Sequence, residues 1–384
     1  MRDPRLAIEL WQAGQSVEVV CRRLHCSRSW FYKWLERWQT GQPNWFEPQS
    51  RRPHTPAGCL PQEVVEVVKL TRLSLYNKGI FCGAQAILWE LQDLNFEPLP
   101  SLRSINRILA REDLTHRRTG RYEPKGRTYP ALQALAPNQV HQADFVGPCY
   151  LRGPVRFYSY NSVDLATGRC AVEPVWARGG QSVIAAIWAV WWRLGLPLHH
   201  QVDNDLVFYG SPGHPRGMGH LIRLCLAQGV EPWFIPPKEP WRNGVIEKFN
   251  EQYRLRFLAR HALGHQAALQ EHSRRFEQRH NQTYRYSKLQ GRTPAESLQL
   301  AKTNLRWPAT KTPPAVPLSK PRQGRYHLVR FIRSDRRLDV FGEKFEMPIE
   351  ATYEYVVATV EVAQQKLQVR IGNELIHQID YRLF

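Results

Sequence analysis

The sequence predicts a multidomain chain with all-α helix-turn-helix units at its N-terminal end, a central α/β domain, and a small all-β barrel at its C-terminal end. Three patterns predict this order: apolar residues recur at helical spacing up to about residue 114, strand and helix patterns then alternate, and short alternating strands follow from residue 325. A chain of 384 residues is long enough to bury several cores. The predicted segments are helix-turn-helix units at 1–38 and 61–115, linkers at 39–60, 116–137 and 301–324, the α/β domain at 138–300, and the barrel at 325–384.

The formal net charge of +19 indicates a polyanionic partner. Because the excess of Lys and Arg is spread along the chain, it favours a long binding track over a basic tail. Nucleic acid is favoured over membrane, since the sequence has no apolar run of about 18 residues and no signal-peptide pattern. The longest apolar run, "VIAAIWAVWW", predicts a buried helix. Seven cysteines without a CxxC pair or zinc-finger spacing predict a reduced, cytoplasmic protein in which structural zinc is not expected.

The pattern of residues 4–38 predicts three short helices. "RLAIELWQAG" ends at Gly14, Ser16 caps "SVEVVCRRL", and Ser27 caps "SRSWFYKWLERW". In the third helix, tryptophans recur every four residues on one face, and polar residues occupy another. This arrangement matches a helix-turn-helix, although a plain three-helix bundle has the same pattern. The polar residues predicted to contact DNA are Arg28, Ser29, Lys33 and Arg37.

A second helical unit is predicted over 61–115, followed by a basic arm. Ser101 caps its last helix, "SLRSINRILARE", in which three arginines four residues apart form a basic stripe. That stripe is either a solvated face or a second phosphate-contacting helix. The segment 116–127, "HRRTGRYEPKGR", has five basic residues and one acidic residue and is named here the basic arm. The predicted DNA contacts of these two segments are Arg103, Arg107 and Arg111 in the helix, and Arg117, Arg118, Arg121 and Arg127 in the arm.

From about residue 138 the sequence predicts the strand and helix order βββαβαβ, followed by further helices, which indicates a mixed sheet. Asp144 lies at the middle or end of the first strand, Asp203 at the end of the fourth, and Glu247 at the start of the helix after the fifth. The carboxyl ends of strands in such sheets face the functional crevice. Any one of these acids would also suit a cap or turn, but three on adjacent elements suit hard divalent cations, which bind oxygen ligands. Two such ions stabilise the attacking and leaving oxygens of a phosphoryl transfer.

The stretches "HQADFVG", "QVDNDLVF" and "PPKEPWRNGVIEKFN" resemble the three acidic motifs of the integrase catalytic core, found in retroviral integrases and in bacterial insertion-sequence transposases with a DDE triad. "QGRTPAESL" also resembles the segment that closes this region in the bacterial enzymes. The resemblance covers roughly 138–300. It implies an RNase H-like fold, in which Asp144, Asp203 and Glu247 are catalytic and bind two Mg²⁺ ions, with Mn²⁺ able to substitute.

Three departures from the family pattern matter. The interval from Asp203 to Glu247 is longer than usual, and the extra residues include the Gly- and Pro-rich "FYGSPGHPRGMGH". Asp205 stands where the family usually has Gly, which makes it a rival ligand, but Asp203 matches in register. The paired His and Cys zinc module of retroviral integrases is missing, so the bacterial branch fits better.

Residues around Glu247 are predicted to touch DNA. On the same helix, Asn250 and Arg254 follow Glu247 at spacings that share its face. Trp241, Arg242 and Asn243 precede it, and we expect them to contact the DNA strand. Each of the five would also suit an ordinary surface.

The resemblance implies a DNA transposase that performs metal-dependent 3′-end cleavage and strand transfer into target DNA. Its partners would be duplex DNA, as terminal inverted repeats and target, and further copies of the chain in a dimer or tetramer. Its location would be the bacterial cytoplasm, in association with the nucleoid and without a membrane contact. The alternatives are a domesticated DNA-binding regulator that no longer cuts, and a nuclease of the RNase H type acting on RNA–DNA hybrids.

Overall fold

The computed structural model describes residues 3–48, 60–115, 127–210, 213, 214, 216–261 and 263–384. The chain divides into two compact units, Met1–Pro61 and Gln62–Phe384, which are described in turn. In the described part, no helix is both long and apolar enough to cross a membrane.

The first unit contains the three predicted helices, α1 (Pro4–Gln12), α2 (Val17–Arg23) and α3 (Arg28–Gln39). They enclose a small core of Ala7, Ile8, Val20, Cys21 and Phe31. Ser27 caps α3, since its hydroxyl accepts a hydrogen bond of 3.2 Å from the backbone N–H of Trp30. Ser16 precedes α2 as predicted, but its side chain makes no capping hydrogen bond to a described residue.

The second unit begins with three more helices and continues into a nine-stranded sheet with helices on both faces. The helices are α4 (Gln62–Asn77), α5 (Ala84–Asp93), α6 (Leu102–Arg111), α7 (Gly180–Leu194), α8 (Leu206–Tyr209), α9 (His220–Ala227), α10 (Gly244–Arg256), α11 (Gln266–Thr283) and α12 (Pro294–Ala301). The strands are β1 (Val140–Tyr150), β2 (Arg156–Asp164), β3 (Cys170–Val175), β4 (His199–Val202), β5 (Glu231–Phe234), β6 (Arg325–Phe331), β7 (Arg337–Val340), β8 (Glu343–Glu346), β9 (Tyr355–Glu361), β10 (Lys366–Ile371) and β11 (Glu374–Asp380). The predicted order βββαβαβ is confirmed, with the single turn α8 added after β4.

The sheet has the strand order β11-β10-β9-β6-β5-β4-β1-β2-β3. Strands β1, β4, β5 and β6 run parallel, and the strands outside them pair antiparallel. Successive residues alternate between the faces: Ala171 packs in the cluster that contains α7 and α9, whereas Cys170 and Val172 pack in the cluster that contains α10 and α11. The face covered by α10 carries the candidate site.

The three N-terminal helices of this unit attach to the core through the end of α4. Arg260 donates a hydrogen bond of 2.9 Å to the carbonyl of Tyr76, and Arg279 donates one of 2.9 Å to the carbonyl of Lys78. The hydroxyl of Tyr284 donates to the carbonyl of Gly79 at 2.5 Å. Tyr76 lies in the last turn of α4, and Lys78 and Gly79 follow its end. Two arginines and a hydroxyl therefore bind carbonyls at the C-terminal end of the helix, where its partial negative charge favours donors and cations.

The C-terminal antiparallel strands are confirmed, but the predicted small barrel is not the form they take. Across residues 325–384, all of which are described, β6, β9, β10 and β11 extend the core sheet, and β7 and β8 form a separate pair. Strand β6 pairs in parallel with β5, through Trp233 with His327 and Phe234 with Leu328. The apolar side chains of β6 pack in the same cluster as those of α7 and α9. The C-terminal strands therefore bury their inner face against the core and do not need to close into a barrel.

The segment predicted as a Pro-rich linker, 301–324, packs along the core. The backbone N–H of Leu196 donates to the carbonyl of Arg306 at 2.8 Å, and the indole N–H of Trp188 donates to the carbonyl of Thr310 at 2.9 Å. The N–H of Val316 donates to the Gln181 side chain at 2.8 Å. The segment is therefore a strap that carries the chain across α7 to the start of β6.

Candidate active site

Strand register brings Asp144 and Asp203 to the same end of the sheet. Strands β1 and β4 are parallel, and the last registered pair is Gln142 with Gln201. Each aspartate follows two residues later, so both lie just beyond the segment over which β1 and β4 pair and on the face covered by α10. Asp144 is in the middle of β1, and Asp203 directly follows the end of β4. This is the edge at which open α/β sheets bind ligands.

Two glutamines fix the start of α10 above these strand ends. The Oε1 of Gln142 accepts hydrogen bonds from the backbone N–H groups of Val245 and Ile246, at 3.1 and 3.2 Å. The Nε2 of Gln201 donates to the carbonyl of Arg242 at 3.1 Å and to Oδ1 of Asn243 at 3.2 Å. Glu247, in the first turn of α10, is thereby held over β1 and β4, with its side chain exposed.

Neither glutamine was predicted from the sequence, although both belong to a tetrapeptide that recurs in the chain. The tetrapeptide His-Gln-x-Asp ends at Asp144 in "HQAD" and at Asp203 in "HQVD", and it occurs a third time as "HQID", ending at Asp380 on β11. In the parallel strands β1 and β4, the register pairs Gln142 with Gln201, and each Asp follows its Gln by two residues. The motif alone therefore does not specify the site, because its third copy lies on β11, which pairs antiparallel with β10.

Asp144 is the most perturbed of the three acids. Burial raises its pKa to about 6, and the charges of Asp203 and Glu247 act in the same direction, against hydrogen bonds from Phe145 and Asn250. The two hydrogen bonds measure 2.7 Å from the Phe145 N–H and 3.0 Å from the Asn250 amide. The charges of Asp203 and Glu247 therefore both act on the protonation of Asp144, so the three acids are electrostatically coupled.

A chain of hydrogen bonds orients Asp144. Asn250 donates to Oδ2 of Asp144, Asn161 donates to Oδ1 of Asn250 at 2.8 Å, and Ser159 donates to Oδ1 of Asn161 at 2.7 Å. Asn161 also lies directly opposite Asp144 in the β1–β2 register. The prediction that Asn250 contacts DNA is therefore wrong: the side chain is 4% exposed and lies on the helix face that packs against the sheet.

Asp203 and Asp205 have different surroundings. Asp205 caps α8, accepting from the N–H of Val207 at 3.1 Å, and its other oxygen is ion-paired with Arg178. The Oδ1 of Asp203 accepts from the N–H of Asp205 at 3.1 Å. Burial raises the pKa of Asp203, and the charge of Asp205 adds to this rise. Asp205 is thus occupied as a cap and ion-pair partner, whereas Asp203 retains a second carboxylate oxygen.

The C-terminal strands support the loop that carries Asp203. Arg330 of β6 is 5% exposed and donates from Nη2 to Oδ1 of Asn204 at 2.9 Å. Its Nε donates to the carbonyl of Asp339 at 2.9 Å. Because Asn204 follows Asp203 directly, the extension of the sheet helps to position the acidic site.

The donor set suits magnesium. Carboxylate oxygens are the ligands that Mg²⁺ prefers, and neighbouring carboxylates repel one another unless cations lie between them. Among the described residues, the one group of three ligand-type side chains with atoms within 4.8 Å of one another does not include these acids. The acidic residues therefore fit the metal by the chemistry of their oxygen ligands and by their placement around the start of α10.

Two of the predicted DNA contacts before α10 are structural instead. Arg242 lies over the ring of Tyr129 at 4.1 Å, is ion-paired with Glu239 at 2.9 Å and donates to the hydroxyl of Tyr355 at 2.9 Å. Asn243 is 3% exposed and donates to the carbonyl of Ala143 at 3.3 Å. Their polar groups are thus used within the fold.

Other predicted contacts remain at the surface. Trp241 is 54% exposed, and Arg254 on α10 is exposed as well. On α6, exposed arginines line one side of the helix as predicted; they are Arg103, Arg107 and Arg111, the last ion-paired with Glu112.

In the first unit, the polar face of α3 is accessible. Ser29 and Lys33 are exposed, and Arg28 is exposed while ion-paired with Glu18. Arg37 is half-buried and lies over the ring of Trp34 at 4.7 Å. In the basic arm, Arg117, Arg118 and Arg121 lie outside the described residues, whereas Arg127 is ion-paired with Glu354.

Comparisons with known proteins identify two domains. Residues 5–45 match the homeodomain-like domain, and residues 228–294 match the integrase core domain. The second match includes Glu247, whereas Asp144 and Asp203 precede it.

Solved structures that are similar include several integrases. The HTLV-2 integrase catalytic core domain in complex with magnesium, in its trimeric form, is 19% identical, and the match covers 43% of this chain and 98% of that chain with a TM-score of 0.33. The intasome of simian T-cell lymphotropic virus in complex with PP2A regulatory subunit B56 gamma is 15% identical, and the match covers 83% of this chain and 97% of that chain with a TM-score of 0.37. The catalytic core domain of BIV integrase is 18% identical, and the match covers 43% of this chain and 96% of that chain with a TM-score of 0.33.

The domain composition therefore defines the class of transposases and integrases with a DDE-type core, as the sequence predicted. Within that class, the chain combines a homeodomain-like DNA-binding domain with an integrase core, and its function is of the polynucleotidyl-transferase or transposase type.

Proposed function

We propose that the chain is a DNA transposase that cleaves the 3′ ends of an insertion element and joins them to target DNA. Asp144, Asp203 and Glu247 would form its catalytic set. The observation that carries the proposal is the placement of Asp144 and Asp203 two residues beyond the paired Gln142 and Gln201 of two parallel strands, with the start of the Glu247 helix anchored by the same two glutamines.

The same three acids would hold two magnesium ions, or manganese in their place, and the magnesium in the HTLV-2 core structure supports this choice. When bound, such ions supply charge stabilisation for the attacking and leaving oxygens at phosphorus. The protein's own groups prepare the site: Asn250 and Asn161 fix the orientation of the Asp144 carboxylate, and Arg178 forms an ion pair with the carboxylate of Asp205.

DNA recognition would be distributed among several segments. The exposed polar face of α3 would read base edges of the terminal repeats, and the arginine stripe of α6 would contact phosphates. The basic arm would follow the backbone between the helical segments 1–38 and 61–115 and the core, while Trp241 and Arg254 would touch the strand next to the acids. Two element ends must be joined in one reaction, so a dimer or tetramer on DNA is expected.

Substrate choice tests this function. The full-length protein should cleave a duplex carrying its element end when Mg²⁺ is added, and should leave an unrelated duplex and an RNA–DNA hybrid uncut. Binding to the element end without any cleavage would instead indicate a silent regulator. Preferential cutting of the hybrid would indicate an RNase H-type nuclease, and either result would overturn the proposal.

A further inference from the structure

A second group of ligand-type side chains lies on the same sheet face, at the opposite end of the strands. His199 begins β4, Glu231 begins β5 and His327 lies on β6, and one ligand atom from each lies within 4.8 Å of the other two. We name these three residues the His–Glu–His cluster. Asp203 lies four residues beyond His199, or about 13 Å along an extended strand, so the cluster is separate from the acidic site.

Strand register explains why the three side chains converge. His199 is paired with Glu231 across β4 and β5, and His327 is paired with Trp233, two residues further along β5. Since alternate residues share a face, all of these side chains emerge on one side of the sheet. The ligands are distant in sequence, and a search for cysteine pairs therefore could not find them.

The spacing of the ligand atoms matches a coordination sphere. The Oε2 of Glu231 lies 2.9 Å from Nε2 of His327 and 3.5 Å from Nδ1 of His199. Ligand atoms held at 2.0–2.1 Å around a tetrahedral ion are about 3.3 Å apart. The two distances fall on either side of that value.

The surrounding groups leave lone pairs directed at the centre of the cluster. The Nδ1 of His327 lies 2.9 Å from the hydroxyl of Thr359, its partner across β6 and β9, and a ring that donates there presents a lone pair at Nε2. Among described residues, the buried Nδ1 of His199 has no hydrogen-bond partner. Arg325 donates to Oε1 of Glu231 at 2.6 Å, which leaves Oε2 facing both rings.

We infer that His199, Glu231 and His327 form a three-ligand site for a divalent ion of the zinc class, with a fourth position open to water. Two imidazoles and one carboxylate suit Zn²⁺, whereas Mg²⁺ prefers oxygen ligands throughout. Strands β5 and β6 share two registered pairs in the described sheet, so an ion at this point would tie the C-terminal strands to the core. This role is distinct from catalysis by the acidic residues.

The test is zinc binding by the full-length chain after removal of metals with a chelator. The chain carries Asp144→Asn and Asp203→Asn so that the acidic site contributes no equivalent, and Zn²⁺ is titrated at neutral pH against a chromophoric competitor. The His327→Ala variant should bind one fewer tightly held Zn²⁺ ion per chain than the parent does. Thr359→Val, which removes only the partner of the His327 ring, should weaken the binding of that ion about 10- to 100-fold. The matched control is His377→Ala, a half-buried histidine on β11, and it should bind as the parent does.

Circular dichroism and melting curves establish that each variant is folded. If His327→Ala does not fold, Thr359→Val decides: weaker zinc binding supports the site, and unchanged affinity overturns it. The proposal is overturned if the parent chain binds no Zn²⁺ tightly, or if His327→Ala binds as many Zn²⁺ ions as the parent. Either result would mean that the cluster is a hydrogen-bonded network of His, Glu and Arg. Equal loss in His377→Ala would also overturn the assignment.

Discussion

Replacing Asp144 by asparagine should stabilise the metal-free protein above about pH 6, even though it removes a proposed catalytic group. Burial, together with the charges of Asp203 and Glu247, raises the pKa of Asp144 from 3.8 to about 6. One pKa unit corresponds to about 1.4 kcal/mol, so the ionised side chain costs the native state roughly 3 kcal/mol. An amide accepts fewer hydrogen bonds than a carboxylate from Phe145 and Asn250, which offsets about 1–2 kcal/mol of the gain. The expected net stabilisation is about 1–2 kcal/mol.

The pH dependence follows from the raised pKa. Between about pH 4 and pH 6, the native protein binds more protons at Asp144 than the unfolded chain does, so wild-type stability falls as the pH rises through this window. Below pH 4, both states are protonated and the penalty is absent. Asparagine does not titrate, so the difference between variant and wild type should grow from pH 4 to pH 6 and then remain constant.

Melting curves in the presence of a chelator measure this difference. A unit of this size shifts its Tm by roughly 2 °C per kcal/mol, so Asp144→Asn should melt about 2–4 °C higher than wild type at pH 8 and with a smaller gap at pH 4.5. Glu374→Gln, at an exposed position on β11, is the control and should leave the Tm unchanged at both pH values. An Asp144→Asn variant that melts no higher at pH 8, or a gap independent of pH, would refute the reasoning.

Three further predictions concern positioning and DNA binding. Asn250→Ala should lower the free energy of unfolding by about 1–3 kcal/mol and slow cleavage, because it removes one hydrogen-bond partner from the buried Asp144 and one from the buried Asn161. DNA affinity in a filter-binding assay should be kept. The exposed Lys248→Ala is the control, and equal effects of the two substitutions would count against the prediction. Arg28→Ala and Lys33→Ala should each weaken binding to element-end duplex by about 1–3 kcal/mol for a lost base-edge contact, with little effect on unrelated DNA; equal losses on both duplexes would mean that α3 makes no base contacts. Replacing Arg117, Arg118, Arg121 and Lys125 by Gln should reduce the slope of log affinity against log salt concentration by roughly three, since each neutralised phosphate contributes about 0.9 to that slope. An unaltered slope would mean that the basic arm is only a tether.

Much of the fold could be predicted from local patterns in the sequence. The helices of the first unit and the order βββαβαβ follow from apolar periodicity, which reflects contacts within each element. The C-terminal strands were correctly predicted as strands, but their alternation is the same in a barrel and at a sheet edge. What decides between the two is the parallel pairing of Phe234 with Leu328, a contact between residues far apart in sequence.

The placement of Asn250 shows a similar limit. Its spacing from Glu247 predicts a shared helix face, yet Ile246, Phe249 and Tyr253 form the buried stripe of α10, and Asn250 lies within it. The stripe was visible in the sequence as apolar residues at i, i+3 and i+7. The role of Asn250 as a partner of Asp144 depended on knowing that α10 packs on β1 and β2, which a single sequence does not specify.

The most direct test of the central claim compares the acids one at a time in the cleavage of element-end duplex with Mg²⁺. Asp144→Asn, Asp203→Asn and Glu247→Gln should each abolish cleavage, while binding of the same duplex stays within about twofold of wild type. Asp205→Asn should retain cleavage, because Asp205 is occupied as the cap of α8 and the partner of Arg178. Full activity in Asp203→Asn together with loss in Asp205→Asn would contradict the assignment of the acidic site.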